Sequence, residues 1–338
     1  MNILLIQLKR IGDLILTTPA IAAIREKYPH ANISLIISAG TRELLPAIRA
    51  LDRTFIARGK IGDAAAWFTL ARRKYDLCLD FTRTDRSAFL TLLSGARKRI
   101  TTDHPKQRVK IRALSYNELV QSPIRLMHTV DYHLALLAPL GIHNAPQTVR
   151  LDLPASAMER VSRVLDDAKV RGEFLLVHPG SARAEKFWEP DRWAALIAFA
   201  AEQGLTCIVT GGSSPLEKSH IARIKANARQ PFIDLSGRLD LLTLAALIKH
   251  ARLIITVDSA PMHLAAATQT PQVVLFGPTN PLHWRPRFTP AIILQAGQLA
   301  PLTEFSPDQK GVPMNQISTK QVIDGMKALL AAPPGAMV

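Results

Sequence analysis

Apolar runs of strand length alternate along this chain with longer segments in which apolar positions recur every three or four residues. ILLIQL (3–8), ISLIIS (33–38), TFIAR (54–58) and DLCLDF (76–81) form a first series separated by helix-like segments, the first of these covering roughly 13–28. A second series begins with FLLVH (174–178) and continues through TCIVTG (206–211), FIDLS (232–236), LIITVD (253–258) and QVVLFG (272–277). Helices such as DRWAALIAFAAEQG and LLTLAALIKHA lie between them. Continuous apolar strands alternating with amphipathic helices predict parallel sheets covered on both faces. The expected class is therefore α/β, with two Rossmann-like domains facing a central cleft. The turn-rich stretch 141–157, GIHNAPQTVRLDLPASA, reads as the linker. It divides the chain into an N-terminal domain (1–150) and a C-terminal domain (151–338), whose last helix can pack back on the first. The APPGAMV tail after Ala331 predicts frayed chain.

The 338 residues suffice for two cores. No apolar stretch reaches the ~18–20 residues that span a bilayer. MNILLIQLKRIGDLILTTP lacks the charged leader of a signal peptide, and Lys9, Arg10 and Asp13 interrupt its apolar run. It reads as a first strand and helix, which predicts a cytoplasmic protein. Cys78 and Cys207, each within an apolar run, suggest a reducing compartment rather than a disulfide framework.

Charge adds an asymmetry. The chain carries +15 overall, and residues 1–150 hold 23 Lys/Arg against 11 Asp/Glu, whereas 151–338 hold 19 against 16. Residues 83–112 concentrate nine cations against only Asp85 and Asp103. Such a half fits an anionic partner: nucleic acid, a membrane surface or a phosphorylated glycolipid.

Ligands of open α/β sheets bind beyond the carboxyl ends of the strands, so chemistry is sought there. The first run ends in Lys9-Arg10-Ile11-Gly12-Asp13-Leu14. Asp13 reads either as a helix cap accepting from orphan amides or as a carboxylate able to act as general base. The dinucleotide fingerprint G-x-G-x-x-G is missing. His178-Pro179-Gly180-Ser181 followed by Lys186 offers amides, a hydroxyl and a cation to a phosphate, with a solvated lysine as the bland alternative. Ser214-Pro215-Leu216-Glu217 fits a capping box with proline at the first helical position; a contact from Glu217 to a sugar hydroxyl or base competes with that reading. In Thr256-Val257-Asp258-Ser259-Ala260-Pro261-Met262-His263, Asp258 closes a strand, Ser259 caps a helix, and small residues leave the first amides open to an anion. His263 is either structural or a ligand contact. Three phosphate-compatible strand ends in one domain point to a nucleotide diphosphate. No D-x-D motif occurs, and His128 and His133 are poorly spaced as ligands, so neither a metal nor a cofactor is expected.

The patterns K-R-I-G-D-L-I-L-T-T-P-A-I, H-P-G-S with E-K-F-W-E-P-D-R-W, and V-D-S-A-P-M-H-L-A-A-A with P-Q-V-V-L-F-G-P-T resemble the ADP-heptose:lipopolysaccharide heptosyltransferases, glycosyltransferase family 9. F-W-E-P-D-R-W-A-A-L-I and Trp284-Arg285-Pro286 look closest to the heptosyltransferase III branch. The resemblance implies a glycosyltransferase B-type fold, with acceptor on the N-terminal side and nucleotide sugar on the C-terminal side. It implies Asp13 as catalytic base, Ser181 and Lys186 on the diphosphate, Glu217 on the nucleoside, and Asp258, Ser259 and His263 on phosphates and heptose. The stretch between Ser181 and Lys186 departs from more polar relatives, so Ala182 and Arg183 inherit no role. The implied reaction is one inverting displacement on ADP-heptose. Asp13 takes the acceptor proton, Lys186 and the amides after Ser259 stabilise departing ADP without a metal, and domain closure excludes water. Lipopolysaccharide core is the implied acceptor, met at the cytoplasmic face of the inner membrane. Arg97, Lys98 and Arg99 are then expected to dock acceptor and membrane. Two other readings stand beside this one: another sugar-nucleotide transferase or epimerase of the same fold, and a nucleic-acid-binding protein. The latter finds no helix-turn-helix or zinc-finger pattern and only four Tyr and four Trp for stacking.

Overall fold

The computed structural model describes residues 1–58 and 63–332, which separate into two compact units at Asp152–Leu153. The expected frayed tail falls largely on 333–338, outside the described residues.

The first unit runs β1 (Asn2–Gln7), α1 (Ile11–Ile15), α2 (Thr18–Lys27), β2 (Asn32–Ser38), a 3-10 segment (Ala39–Ala47), β3 (Arg53–Ala57), α3 (Ala64–Ala71), β4 (Leu77–Asp80), α4 (Asp85–Leu93), β5 (Lys98–Thr102), α5 (Lys110–Ser115), β6 (Glu118–Val120) and α6 (Thr129–Ala135). The six strands form one parallel sheet in the order β3-β2-β1-β4-β5-β6. Ile3 to Ile6 and Leu35 to Ile37 are wholly buried, as strands covered on both faces require. The single helix expected over 13–28 is two. Pro19 has no N–H to give the Ile15 carbonyl, which accepts from the Thr18 hydroxyl instead (2.7 Å). The Thr17 hydroxyl donates to the Asp13 carbonyl (2.7 Å). That break leaves α1 as a single short turn carrying Asp13. Between β2 and β3 the chain, with Gly40 and Pro46, forms a 3-10 segment rather than an α-helix.

The second unit runs α7 (Ala155–Asp167), β7 (Phe174–His178), α8 (Pro190–Glu202), β8 (Thr206–Val209), α9 (Pro215–Asn227), β9 (Ile233–Asp234), α10 (Leu241–His250), β10 (Leu253–Val257), α11 (Ala260–Thr268), β11 (Gln272–Phe276), α12 (Pro281–Trp284), β12 (Ala291–Gln295) and α13 (Thr319–Ala331). Its parallel sheet has the order β12-β11-β10-β7-β8-β9. Trp188 and Trp193 are fully buried and meet edge to face (5.0 Å between centroids). The Trp188 indole donates to the Ile317 carbonyl (2.8 Å), tying the approach to α13 onto the core. The last helix packs on α8 and on β10, β11 and β12 of its own unit. The conspicuous F-W-E-P-D-R-W motif is therefore in large part a core element.

Both cysteines are free and buried, and burial pushes each thiol up to about 12, which leaves them unreactive. Among the described residues no helix is long and apolar enough to cross a membrane.

Candidate active site

Each sheet reverses its strand order at one place, between β1 and β4 in the first unit and between β7 and β10 in the second. There the connections leave in opposite directions and open a crevice beyond the carboxyl ends. The residues singled out in the sequence fall largely at these two places.

In the first unit Asp13 sits in the turn that follows β1. Its Oδ2 accepts from the Arg10 N–H (3.3 Å), so it does cap the start of α1. Its Oδ1 is shielded and finds no hydrogen-bond donor among the described residues, with the Lys9 ammonium 3.7 Å away. Asp13 therefore caps α1 through one oxygen and is nearly buried rather than exposed, while the other oxygen keeps its lone pairs but is shielded. Behind Asp13 the Gln7 amide donates to the Thr17 hydroxyl (2.9 Å), which also lies 3.2 Å from His133 Nδ1. Burial, with a smaller contribution from Lys9, pulls His133 down to about 3, so the imidazole is neutral at physiological pH. The Asp80 carboxyl, at the end of β4, is pushed upward by burial and accepts from the Tyr116 hydroxyl (2.5 Å).

In the second unit the loops after β7, β8 and β10 hold the other candidates. Lys186 donates to Asp258 Oδ2 (2.6 Å) and to the Asp258 carbonyl (3.0 Å). The Thr279 hydroxyl, after β11, donates to the same Oδ2 (2.5 Å). Both charged side chains are nearly buried, so the pair holds Lys186 in place at a strand end. Ser181 is buried in the β7 loop, and its hydroxyl accepts from the Arg183 N–H (3.3 Å). Ser259 precedes α11, and its buried hydroxyl has no hydrogen-bond partner among the described residues. The amides that open α11 carry the positive end of the helix dipole. His263, one turn in, is buried and already partnered. Glu217 uses one carboxylate oxygen on the Gly212 N–H (3.1 Å) and the other on the Ser214 hydroxyl (3.0 Å), while its own N–H caps onto Ser214 (3.3 Å). A Cβ on Gly180 or Gly212 would lie 2.2 or 2.3 Å from that carboxylate, so Glu217 shapes both loops.

Arg97, Lys98 and Arg99 are not brought to the same edge. Lys98 pairs with Leu77, which pairs with Ile3, so the triplet lies at the amino end of the sheet. That is roughly 13 Å along the strands from Gln7 and the Asp13 turn. The Arg99 guanidinium donates to the Ser115 and Ala96 carbonyls (2.8 Å each), and Lys98 donates to the Pro139 carbonyl (2.8 Å). Lys98 and Arg99 thus hold neighbouring backbone, while the Arg97 side chain is exposed. The sequence singled out neither Thr279, which fixes Asp258, nor Lys9, which lies beside Asp13. Their position, three residues past a strand in the first case and two in the second, was the available signal.

Two doubly wound parallel units have the glycosyltransferase B-type fold, and the solved structures agree. The glycosyl transferase family 9 protein from Veillonella parvula superposes with a TM-score of 0.85 at 22% identity, covering 97% of each chain. Escherichia coli heptosyltransferase WaaC, solved with ADP, superposes at 0.70 with 20% identity and 97% of each chain. The family model for glycosyltransferase family 9 (heptosyltransferase) matches residues 64–310. Lipopolysaccharide heptosyltransferase 3 of Escherichia coli is 30% identical over 329 residues, 94% of this chain and 96% of its own. The chain belongs to glycosyltransferase family 9 and is a glycosyltransferase. Membership removes the epimerase and nucleic-acid readings as primary functions.

Proposed function

We propose that this chain transfers heptose from ADP-heptose onto the inner core of lipopolysaccharide, as a heptosyltransferase III-like enzyme, with inversion and without a metal. The observation that carries the reading is the full-length 30% identity to a lipopolysaccharide heptosyltransferase 3, joined to a carboxylate with a free oxygen at one switch point and a lysine-bearing anion site at the other. The Asp13 carboxylate accepts the proton of the acceptor hydroxyl as the hydroxyl oxygen attacks the anomeric carbon. The anomeric carbon–oxygen bond to ADP breaks on the opposite face, which inverts the centre. Lys186, Ser181 and the amides after Ser259 receive the charge that develops on the diphosphate. Glu217 orders the loops beside the nucleoside. Purified protein incubated with ADP-heptose and truncated core acceptors should yield an acceptor heavier by one heptose in mass spectrometry, and saturating EDTA should leave the rate unchanged. A rate abolished by EDTA and restored by Mg²⁺ or Mn²⁺ overturns the metal-free mechanism; no heptose adduct with any core acceptor overturns the substrate assignment.

The same reading places the protein in the cytoplasm, in peripheral contact with the inner membrane. What supports contact is the outer surface of α3, α4 and α5, which pack side by side. Phe68, Phe89, Leu92, Val109 and Leu114 are exposed there among Arg72, Arg86 and Lys110. Apolar side chains that enter the interface and cations drawn to anionic headgroups act together in such surfaces. Phe89→Ser with Leu114→Ser should weaken flotation with anionic vesicles by about tenfold or more at low salt, given the apolar area withdrawn. Equal flotation of variant and wild type would return these residues to ordinary surface.

A further inference from the structure

Lys9 and Arg83 leave the ends of β1 and β4, the neighbouring strands at which the first sheet reverses its order. Arg83 has φ +64°, in the left-handed region where a side chain crowds the backbone and glycine is the natural occupant. Several groups hold it there. Asp80 Oδ1 accepts from the N–H groups of Thr82 (2.7 Å) and Arg83 (3.2 Å), and the Arg83 carbonyl accepts from Arg112 (3.2 Å). A buried carboxylate, the tyrosine bonded to it and a second arginine therefore fix one arginine in a strained backbone. Strain of this kind persists where surrounding structure over-determines it, and it concentrates at functional sites.

Within the fold the guanidinium so placed meets only an aromatic face among the described residues. Among the described residues its side chain forms no ion pair or hydrogen bond. It lies over the Tyr132 ring (4.8 Å to the centroid), and its Nε is shielded without a partner. Tyr132 is itself held by Thr102 (2.9 Å between hydroxyl oxygens). Lys9 is similarly fixed: the Leu8 N–H donates to Thr82 Oγ1 (2.7 Å), and the Lys9 carbonyl accepts from the Ser38 hydroxyl (3.1 Å). Burial and the Arg83 charge draw the Lys9 amine below its ordinary range, while Asp13 and Asp80 oppose them. Two positioned cations thus leave adjacent loops, tied together by the Leu8–Thr82 bond, and Asp13, the group needed for proton transfer, lies beside Lys9. Asp13 offsets the Lys9 charge (3.7 Å), but no carboxylate pairs with the Arg83 side chain among the described residues, so one positive charge is left for an anion to join.

We propose that Lys9 and Arg83 form an oxyanion-recognition subsite that takes a phosphate or carboxylate substituent of the acceptor, beside the hydroxyl presented to Asp13. The proposal rests on the acceptor assignment made above. Guanidinium on an aromatic face presents its outer N–H groups as a fork suited to an oxyanion, and Lys9 adds a point charge. The subsite would select which acceptor hydroxyl meets Asp13.

Arg83→Gly tests this, because glycine keeps the left-handed backbone without strain. Its melting temperature should equal or exceed that of wild type. The KM for an acidic core oligosaccharide should rise about tenfold or more, as expected for losing charge-assisted hydrogen bonds, while the KM for ADP-heptose stays unchanged. Parallel acceptors, one dephosphorylated and one carboxyl-reduced, identify the anion: the one lacking it should no longer distinguish variant from wild type. Calorimetric binding of the phosphorylated oligosaccharide without donor separates the two ideas. Wild-type binding weakened in the variant, without heptose transfer by either, keeps the subsite and discards the reaction. Transfer with unchanged acceptor KM, a penalty equal for acidic and neutral acceptors, or a lowered melting temperature alone overturns the subsite.

Discussion

Asp13→Asn should lower turnover by about 10²-fold or more, the range expected when a positioned general base is lost, while leaving ADP affinity and melting temperature close to wild type. The geometry explains why the effect can be so selective. Asparagine keeps an oxygen able to accept from the Arg10 N–H, so the turn that Asp13 caps through Oδ2 survives. What disappears is the carboxylate's capacity to take a proton, since an amide does not serve as a base at physiological pH. The proposed donor contacts all lie in the second unit, so ADP titrated into the variant by calorimetry should give an unaltered Kd. A parallel fall in turnover, ADP affinity and melting temperature would mean that Asp13 serves the fold and that the base lies elsewhere.

That Asp13 could be singled out before any coordinates, whereas Arg83 could not, reflects what periodicity carries. Apolar runs mark strands, and the nine identified this way correspond to β1 to β4 and β7 to β11; AIILQ of β12 is also such a run but is not among them. β5 (KRITT) and β6 (ELV) lie toward the sheet edge and are short or polar, so their sequences carry no such run. Missing β5 had a direct consequence for function. A charge count over 83–112 treats the stretch as one patch, but β5 divides it. Lys98 and Arg99 start that strand at the amino end of the sheet with Arg97 just before it, while Lys106 to Arg112 follow it at the carboxyl end. Arg83 was visible only as one cation among nine, because a left-handed backbone and an unpartnered guanidinium are tertiary facts. The motifs around Ser181, Lys186 and Asp258 were legible because strand-end loops are short and contiguous. The Lys186–Asp258 pair spans 72 residues, and its existence had no local signature.

Lys186→Met should lower kcat/KM for the donor by about 10²–10³-fold, the usual consequence of removing one group that stabilises charge developing in the transition state. It should also lower stability, and the two effects need separating. Lys186 and Asp258 are nearly buried against each other, so methionine strands a carboxylate that, among the described residues, retains only the Thr279 hydroxyl. Breaking such a pair from one side costs about 2–4 kcal/mol, somewhat below the value for a fully enclosed pair. For a unit of this size that is a fall of roughly 5–10 °C in melting temperature. Adding Asp258→Asn removes the stranded charge, and asparagine can still accept from Thr279. The double variant should therefore regain most of the lost melting temperature while its donor kcat/KM remains depressed. Asp258 in this account is a positioning residue: it holds the ammonium at the strand end, beside the amides of α11, until a diphosphate competes for it. Recovery of turnover along with stability in the double variant would make Lys186 a structural partner only, and would leave the α11 amides and Ser181 as the groups that stabilise departing ADP.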